Sequence, residues 1–264
     1  KSITNMSAKL EPIIFRNLHR GMADEQSVTD SMMPPSQVRL AYNMDTDTIG
    51  VLKRRKGYAR LGSAALSPGT TVLGLHSHVG TNSRVIAFSG ASQVESYYLS
   101  GTTWTSNSLA FAGNTRVHTT SFLDYIFAVN GSDAPKSWSG SAATTWGTTN
   151  LASAPTGSLI ALYKQQLYIG NTGTDQINFS SVPTSSTISW TSTDNFVLNP
   201  NDSSNLTAFV PFAQELIYWK DDYFYRYNAS AVSAEPIQNY GTPSQESVIV
   251  EQGVCWFYDA NRRG

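Results

Sequence analysis

The feature that most constrains this chain is a repeat. Four-residue apolar runs return along it: Val85-Ile86-Ala87-Phe88, Ile126-Phe127-Ala128-Val129, Leu167-Tyr168-Ile169-Gly170, Leu216-Ile217-Tyr218-Trp219 and Val254-Cys255-Trp256-Phe257. Their starts lie 41, 41, 49 and 38 residues apart. Each run is too short for a helix and is soon followed by turn formers such as Ser89-Gly90, Asn130-Gly131, Gly170-Asn171 and Asp221-Asp222. That is the pattern of a short buried strand leaving the core through a tight turn.

Every run has companions in register. Upstream stand Val72–Leu75, Val117–Thr120, Leu159–Leu162, Leu206–Phe209 and Val248–Val250. Downstream of the first four stand Tyr97–Leu99, Lys136–Trp138, Ile177–Phe179 and Tyr223–Tyr225. A more polar fourth segment recurs as Thr103-Trp104, Thr145-Trp146 and Ser189-Trp190, with tryptophans 42 and 44 residues apart. Three or four short strands per 40 to 45 residues is the arithmetic of a β-propeller blade. Its middle strand is apolar throughout because neighbouring blades cover both faces, which explains continuous runs in place of alternation. A β-sandwich also uses many short strands, but nothing in it demands triplets that return near 41 residues.

The sequence therefore predicts an all-β chain, a β-propeller with four blades and a partial fifth. The last blade stops at Arg262-Arg263-Gly264, one strand short of its siblings. Either the natural chain continues, or an early strand closes the ring by pairing with it. Lys1 in place of a methionine likewise predicts a processed chain or part of a longer one. Residues 1–45 break the pattern, and Met32-Met33-Pro34-Pro35-Ser36 interrupts any helix there. They are expected to form an extended N-terminal arm with one short helix, followed by the propeller over residues 46–264.

Composition narrows the function classes. Only 14% of the 264 residues are Asp, Glu, Lys or Arg, and the formal net charge is −1. That balance gives no general reason to expect a nucleic-acid binder, whose affinity comes largely from cationic surface. Cys255 is the only cysteine, so an intrachain disulfide framework is excluded. No apolar run approaches the roughly 20 residues of a membrane-spanning helix.

One stretch departs from the low charge: Val51 to Gly62 packs Lys53, Arg54, Arg55, Lys56 and Arg60 together. On a strand, Lys53 and Arg55 point one way while Arg54 and Lys56 point the other, so two or three at most act on one phosphate backbone. Lys56-Gly57 reads as a turn, with Tyr58 to Leu61 returning. The cluster is expected to be a solvated hairpin that pairs with acidic groups of a neighbouring subunit, with a DNA-facing ring of cations as the alternative.

The segment Asn17 to Gly62, NLHRGMADEQSVTDSMMPPSQVRLAYNMDTDTIGVLKRRKGYARLG, resembles the leading segment of bacteriophage tail propeller proteins. The similarity is to the nozzle, head-closure or tail stabilisation proteins of short-tailed phages, in which an extended arm leads to an Asn and a G-x-L-x-x-R-x-G hairpin before the blades. Here the pattern falls on Asn43 and on Gly50 to Gly57. Phe127 to Gly140, FAVNGSDAPKSWSG, is similar to a blade strand of the same proteins. The resemblance implies a homo-oligomeric ring, commonly six-fold, around the channel through which the genome leaves. It implies no catalysis and no cofactor.

Other candidates carry less. His76 and His78 share a strand face and His118 opens the equivalent strand of the next blade, which raises a zinc site; hydrogen-bonded histidines are the expected reading. Gly131 to Trp138 has the Asp-to-Trp spacing of a sialidase Asp-box, but Pro135 stands where the turn glycine belongs. Arg84, Arg116, Arg226, Arg262 and Arg263 are too few and too scattered along the blades to argue for a carboxylate-binding cluster. Tyr218, Trp219, Tyr223, Phe224, Tyr225 and Tyr227 read as packing between blades in preference to a sugar platform. The function expected is thus a structural virion protein, a tail nozzle or adaptor ring subunit assembled in the host cytoplasm. Its partners would be copies of itself and other tail or portal-adaptor proteins, with DNA transiting without specific binding. The alternative is a carbohydrate- or receptor-binding propeller on a virion or cell surface.

Overall fold

A computed structural model describes residues 44–48, 51–54, 61–62, 66, 71–90, 92–113, 115–198, 204–228 and 233–259. The chain divides into two compact units, Lys1–Arg60 and Leu61–Gly264. In the first, β1 (Met44–Thr48) pairs antiparallel with β2 (Val51–Arg54), setting Asp45 opposite Lys53 and Met44 opposite Arg54. Of the basic cluster, Lys53 and Arg54 thus lie on β2, whose ladder partner is the preceding strand. Arg55, Lys56 and Arg60, and with them the expected turn at Lys56-Gly57, lie outside the described residues, as does the arm before Met44.

The second unit is a β-propeller. Its first sheet is β3 (Thr71–His78), β4 (Arg84–Gly90), β5 (Val94–Ser100) and β6 (Thr103–Ser106), hydrogen-bonded in chain order. The second is β7 (His118–Phe122), β8 (Tyr125–Val129) and β9 (Lys136–Trp138). The third is β10 (Leu159–Tyr163), β11 (Gln166–Gly170), β12 (Gln176–Phe179) and β13 (Asn195–Val197). The fourth is β14 (Leu206–Phe212), β15 (Glu215–Lys220), β16 (Phe224–Asn228) and β17 (Ser233–Gln238). A two-stranded fifth, β18 (Val248–Glu251) with β19 (Val254–Phe257), follows a single 3-10 turn at Gln245–Ser247.

What makes these sheets blades is the order of their first strands. β3 lies against β7, β7 against β10, β10 against β14 and β14 against β18. The inner wall is therefore built from successive leading strands, one per sheet, and not from two facing layers. Gly74 permits the first of these approaches, because a Cβ there would lie 2.6 Å from the Val117 carbonyl oxygen. Among the described residues, no ladder joins the fifth sheet to the first.

The apolar runs are the middle strands, and they face both ways as the repeat predicts. Ile126 and Ala128 pack toward the first sheet with Ile86, Phe88 and Tyr98, while Phe127 and Val129 pack toward the third with Ile160, Leu167 and Ile169. Tyr218, Tyr225 and Tyr227 fill the space between the third and fourth sheets with Tyr168 and Phe196. Trp219 and Phe224 stack between the fourth and fifth against Phe257. The densest aromatic cluster is thus packing between blades.

From the second sheet onward the leading hairpins share one device. The turns at Leu123-Asp124, Lys164-Gln165, Ala213-Gln214 and Gln252-Gly253 all place two residues at positive φ, between 44° and 77°. This is the two-residue connection whose twist matches that of the strands it joins.

The recurrent tryptophans do a different job from the expected fourth strand. Trp104 lies on β6, but Trp146 and Trp190 stand outside the ladders, and the fourth strand of the third sheet is β13 instead. Each indole N–H donates backward along the chain: Trp104 to the Leu61 carbonyl at 3.0 Å, Trp146 to Ser96 Oγ at 2.7 Å, Trp190 to the Asn150 carbonyl at 3.0 Å. For Trp146 and Trp190 the acceptor belongs to the preceding blade. A buried indole needs an acceptor, and taking one from that neighbour draws the residue off its own sheet edge.

Candidate functional site

At the leading ends of the inner strands, four blades contribute to one open cavity of about 620 Å³. Two positions recur in its lining: the residues at the start of the first strand and, in the second to fourth blades, the turn after the second strand. The second blade supplies Arg116, His118 and Asn130–Ser132, the third Ser158 and Asn171–Gly173, the fourth Asn205 and Asp221, and the fifth Pro243–Glu246.

The centre of the site is Glu246, carried on the 3-10 turn before β18. Its Oε1 lies 3.2 Å from His118 Nε2 and 3.3 Å from Arg116 Nε, joining the second blade to the fifth. Gln245 beside it is fixed by accepting from the Phe209 backbone N–H at 2.9 Å. Burial alone would push the Glu246 carboxyl up. Hydrogen bonds from its own backbone N–H and the Ser244 hydroxyl, with His118 and Arg116 nearby, outweigh that and hold it below its ordinary value.

His118 is held from both sides. Its Nδ1 donates to the Ser158 carbonyl at 2.6 Å, and its Nε2 faces the Glu246 carboxylate.

Several polar groups on the wall remain uncommitted. Among the described residues, no hydrogen bond involves the Asn171 or Asn205 side-chain amide, and the Arg116 side chain is 65% exposed with Glu246 as its ionic partner. Asn130, by contrast, is fully used. Its Oδ1 accepts from the backbone N–H groups of Ser132 and Asp133, and its Nδ2 donates to Asp133. Asp133, the residue of the Asp-box-like segment, accepts also from the Gly113 backbone N–H, and so closes its own turn.

The three histidines do not meet. His118 lies at the cavity, whereas His76 Nε2 and His78 Nδ1 converge on Ser121 Oγ at 2.7 and 2.8 Å where β3 abuts β7. This is the hydrogen-bonded arrangement expected of them. Burial, then the neighbouring His78, pushes His76 down to about 4. His78 is also lowered by burial, against the pull of Asp124 at 4.0 Å from its Nε2. Among the described residues, no group of three or more His, Cys, Asp or Glu side chains is placed to hold a metal.

Sequence reasoning missed Glu246, Ser158, Asn171 and Asn205, and set Arg116 aside as one scattered arginine. The signal was positional. Each of these residues stands immediately before a leading strand or in the turn after a middle strand, at the blade period.

No protein-family model matches this sequence, and no curated protein does. Solved structures do match. The computationally designed Ika8 protein aligns with a TM-score of 0.44 at 9% identity, over 70% of this chain and 54% of that one. The periplasmic gluconolactonase PpgL of Pseudomonas aeruginosa aligns with a TM-score of 0.44 at 10% identity, over 62% and 55%. YCF48 bound to a D1 peptide aligns with a TM-score of 0.48 at 12% identity, over 77% and 69%. The chain spans about half the length of the first two. Likeness at this level carries no argument about activity or partner, and with an enzyme among the three it lends no weight to a non-catalytic reading.

Proposed function

We propose that this chain is a structural subunit of a virion tail ring, a nozzle or adaptor in which rigid propellers assemble side by side around the DNA channel. The observation that carries the proposal is the state of the two end sheets. One face of the fifth sheet packs on the fourth through Val248, Cys255 and Phe257. The other presents Ile249 and Trp256, a cross-strand pair 58% and 65% exposed, beside Val254. At the opposite end, on the face of the first sheet turned away from the second, Ala87 and Tyr97 are buried, while Leu75, 70% exposed, and Val85 are presented.

Two different apolar faces at opposite ends of one body favour a head-to-tail contact between copies, and such a contact closes into a ring when its rotation allows. The occupant proposed for the fifth sheet is thus the first sheet of the next copy. The basic stretch of Lys53, Arg54, Arg55, Lys56 and Arg60 would add charge pairing at a subunit boundary. The proposal assigns no catalysis to the chain, and it places the protein in the tail after assembly in the host cytoplasm.

The test is oligomeric state. The purified chain should form one defined oligomer by mass photometry, with ring-shaped class averages, and Trp256→Ser with Ile249→Ser should shift it to monomer without loss of fold. A chain that stays monomeric across the accessible concentration range refutes the proposal.

A second reading, a carbohydrate- or receptor-binding propeller, is favoured by the polar cavity around Glu246. It predicts a ligand-dependent rise in melting temperature, which a purely structural subunit would not show.

A further inference from the structure

Resting on that second reading, we infer that the cavity at the leading ends of the inner strands is a binding site for a neutral saccharide, with Glu246, Arg116, Asn171 and Asn205 as its hydrogen-bonding wall. Its volume of about 620 Å³ falls within the range of small-molecule sites, about 300–1,000 Å³. Three observations narrow the ligand.

The first is charge. The wall carries the guanidinium of Arg116 against the carboxylates of Glu246 and Asp221, with His118 beside them. The guanidinium is already partnered by Glu246 at 3.3 Å. No surplus positive charge is left for a phosphate, a sulfate or a uronate, and a ligand anion would meet Glu246. The same balance gives no grip on a nucleic-acid backbone.

The second is the character of the uncommitted groups. The Asn171 and Asn205 amides each offer both donors and acceptors. The Glu246 carboxylate lines the cavity as an acceptor, and Arg116, which meets it through Nε, keeps the outer nitrogens of its fork. Alternating donors and acceptors suit a ligand whose own groups both donate and accept, which describes a hydroxyl. A carboxylate beside an arginine can engage adjacent hydroxyls of one sugar ring, the carboxylate accepting from one and the guanidinium donating to the next.

The third is preorganisation. His118 is clamped between Ser158 and Glu246, and Gln245 is tied to the Phe209 backbone. The Thr172 backbone N–H donates to Ser158 Oγ at 2.8 Å. Groups held by the scaffold lose little freedom when a ligand arrives, which lowers the cost of binding. Leu159, Leu206 and Pro243 supply the apolar part of the wall, against which the C–H face of a sugar can lie.

Ligand-observed saturation-transfer NMR on the full chain tests this. The probes are glucose, galactose, N-acetylglucosamine and their short oligomers, with glucuronate and inorganic phosphate as anionic comparators. At least one neutral saccharide should show transfer, and its affinity should fall at least tenfold in both Asn205→Ala and Glu246→Gln. Asn205 is exposed, so its variant stays informative if Glu246→Gln unfolds the fifth blade; circular dichroism reports on that. Transfer from a neutral sugar that survives both variants overturns the site but leaves the binding reading standing. Preference for glucuronate or phosphate overturns the ligand class. Absence of transfer from every probe overturns both the site and the reading it rests on.

Discussion

Lys220 Nζ lies 2.9 Å from Asp175 Oδ1, and the lysine side chain is fully buried where the fourth blade meets the third. The carboxylate, 21% exposed, sits in the turn before β12, and the approach lies outside hydrogen-bond geometry, so the contact is an ion pair across the blade boundary. Removing one partner leaves the other charge in a site made for a pair. Lys220→Met is expected to lower stability by about 3 kcal/mol, the low end for a buried pair because Asp175 keeps some water. Lys220→Met with Asp175→Leu should recover most of the loss. Urea denaturation of the three proteins checks both statements, and a double variant no better than the single one refutes the second.

The tryptophans make a similar demand of hydrogen bonding. Trp146 Nε1 donates to Ser96 Oγ at 2.7 Å, and Ser96 is wholly buried in the first blade. Trp146→Phe keeps most of the packed ring and deletes the donor. The expected cost is about 1–2 kcal/mol, since a buried hydroxyl loses its partner as a cavity opens. Adding Ser96→Ala to that background should cost less than Ser96→Ala alone. A double-mutant cycle by thermal unfolding measures the coupling, and a value near zero would show that the indole serves by bulk alone.

How much of this was readable in the chain follows from what each part rests on. Middle strands such as Ile126–Val129 are buried on both faces, so their burial is written as an unbroken apolar run that needs no knowledge of partners. The cavity is different. Glu246 and His118 are 128 residues apart and meet only because the ring brings the fifth blade round to the second. Each contributing blade gives it a few polar residues of differing type, so no one local motif spells the site. The hairpin turns were silent for another reason. Lys164-Gln165 and Ala213-Gln214 adopt the double positive-φ turn without the Asn or Gly that announces it. The tryptophan period was visible, but its purpose was not, because an indole's acceptor on the neighbouring blade leaves no mark beside the indole itself.

His76 makes stability depend on pH. Burial holds its folded value near 4, against an ordinary value of 6.5 in the unfolded chain. Between those values the unfolded chain binds a proton that the folded ring does not, so unfolding gains as pH falls. This contribution is whole above pH 6.5, erodes through the window and is spent near pH 4. It should amount to something on the order of 2 kcal/mol, short of the full linkage value because the ring keeps some water. His78 shifts the same way, with Asp124 opposing it. His76→Gln, which keeps a partner for Ser121, should flatten the pH dependence of the melting temperature between 6.5 and 4. An unchanged slope in that variant assigns the acid sensitivity elsewhere.

The Ala213-Gln214 turn offers a gain. Both residues hold positive φ, 47° and 66°, a region that costs most side chains roughly 1 kcal/mol per residue and costs Asn and Gly less. The fifth blade already carries Gly253 at the second position of its equivalent turn, at φ 77°. Ala213→Asn with Gln214→Gly keeps the Gln214 backbone carbonyl that accepts from the Tyr163 hydroxyl at 2.7 Å. The pair should therefore raise stability by about 1 kcal/mol, the relieved strain exceeding the extra unfolded-state freedom of glycine. The urea midpoint should move up with an unchanged slope. A lower midpoint would mean that the Ala213 and Gln214 side chains contribute more to the fourth blade than their backbone strain takes away.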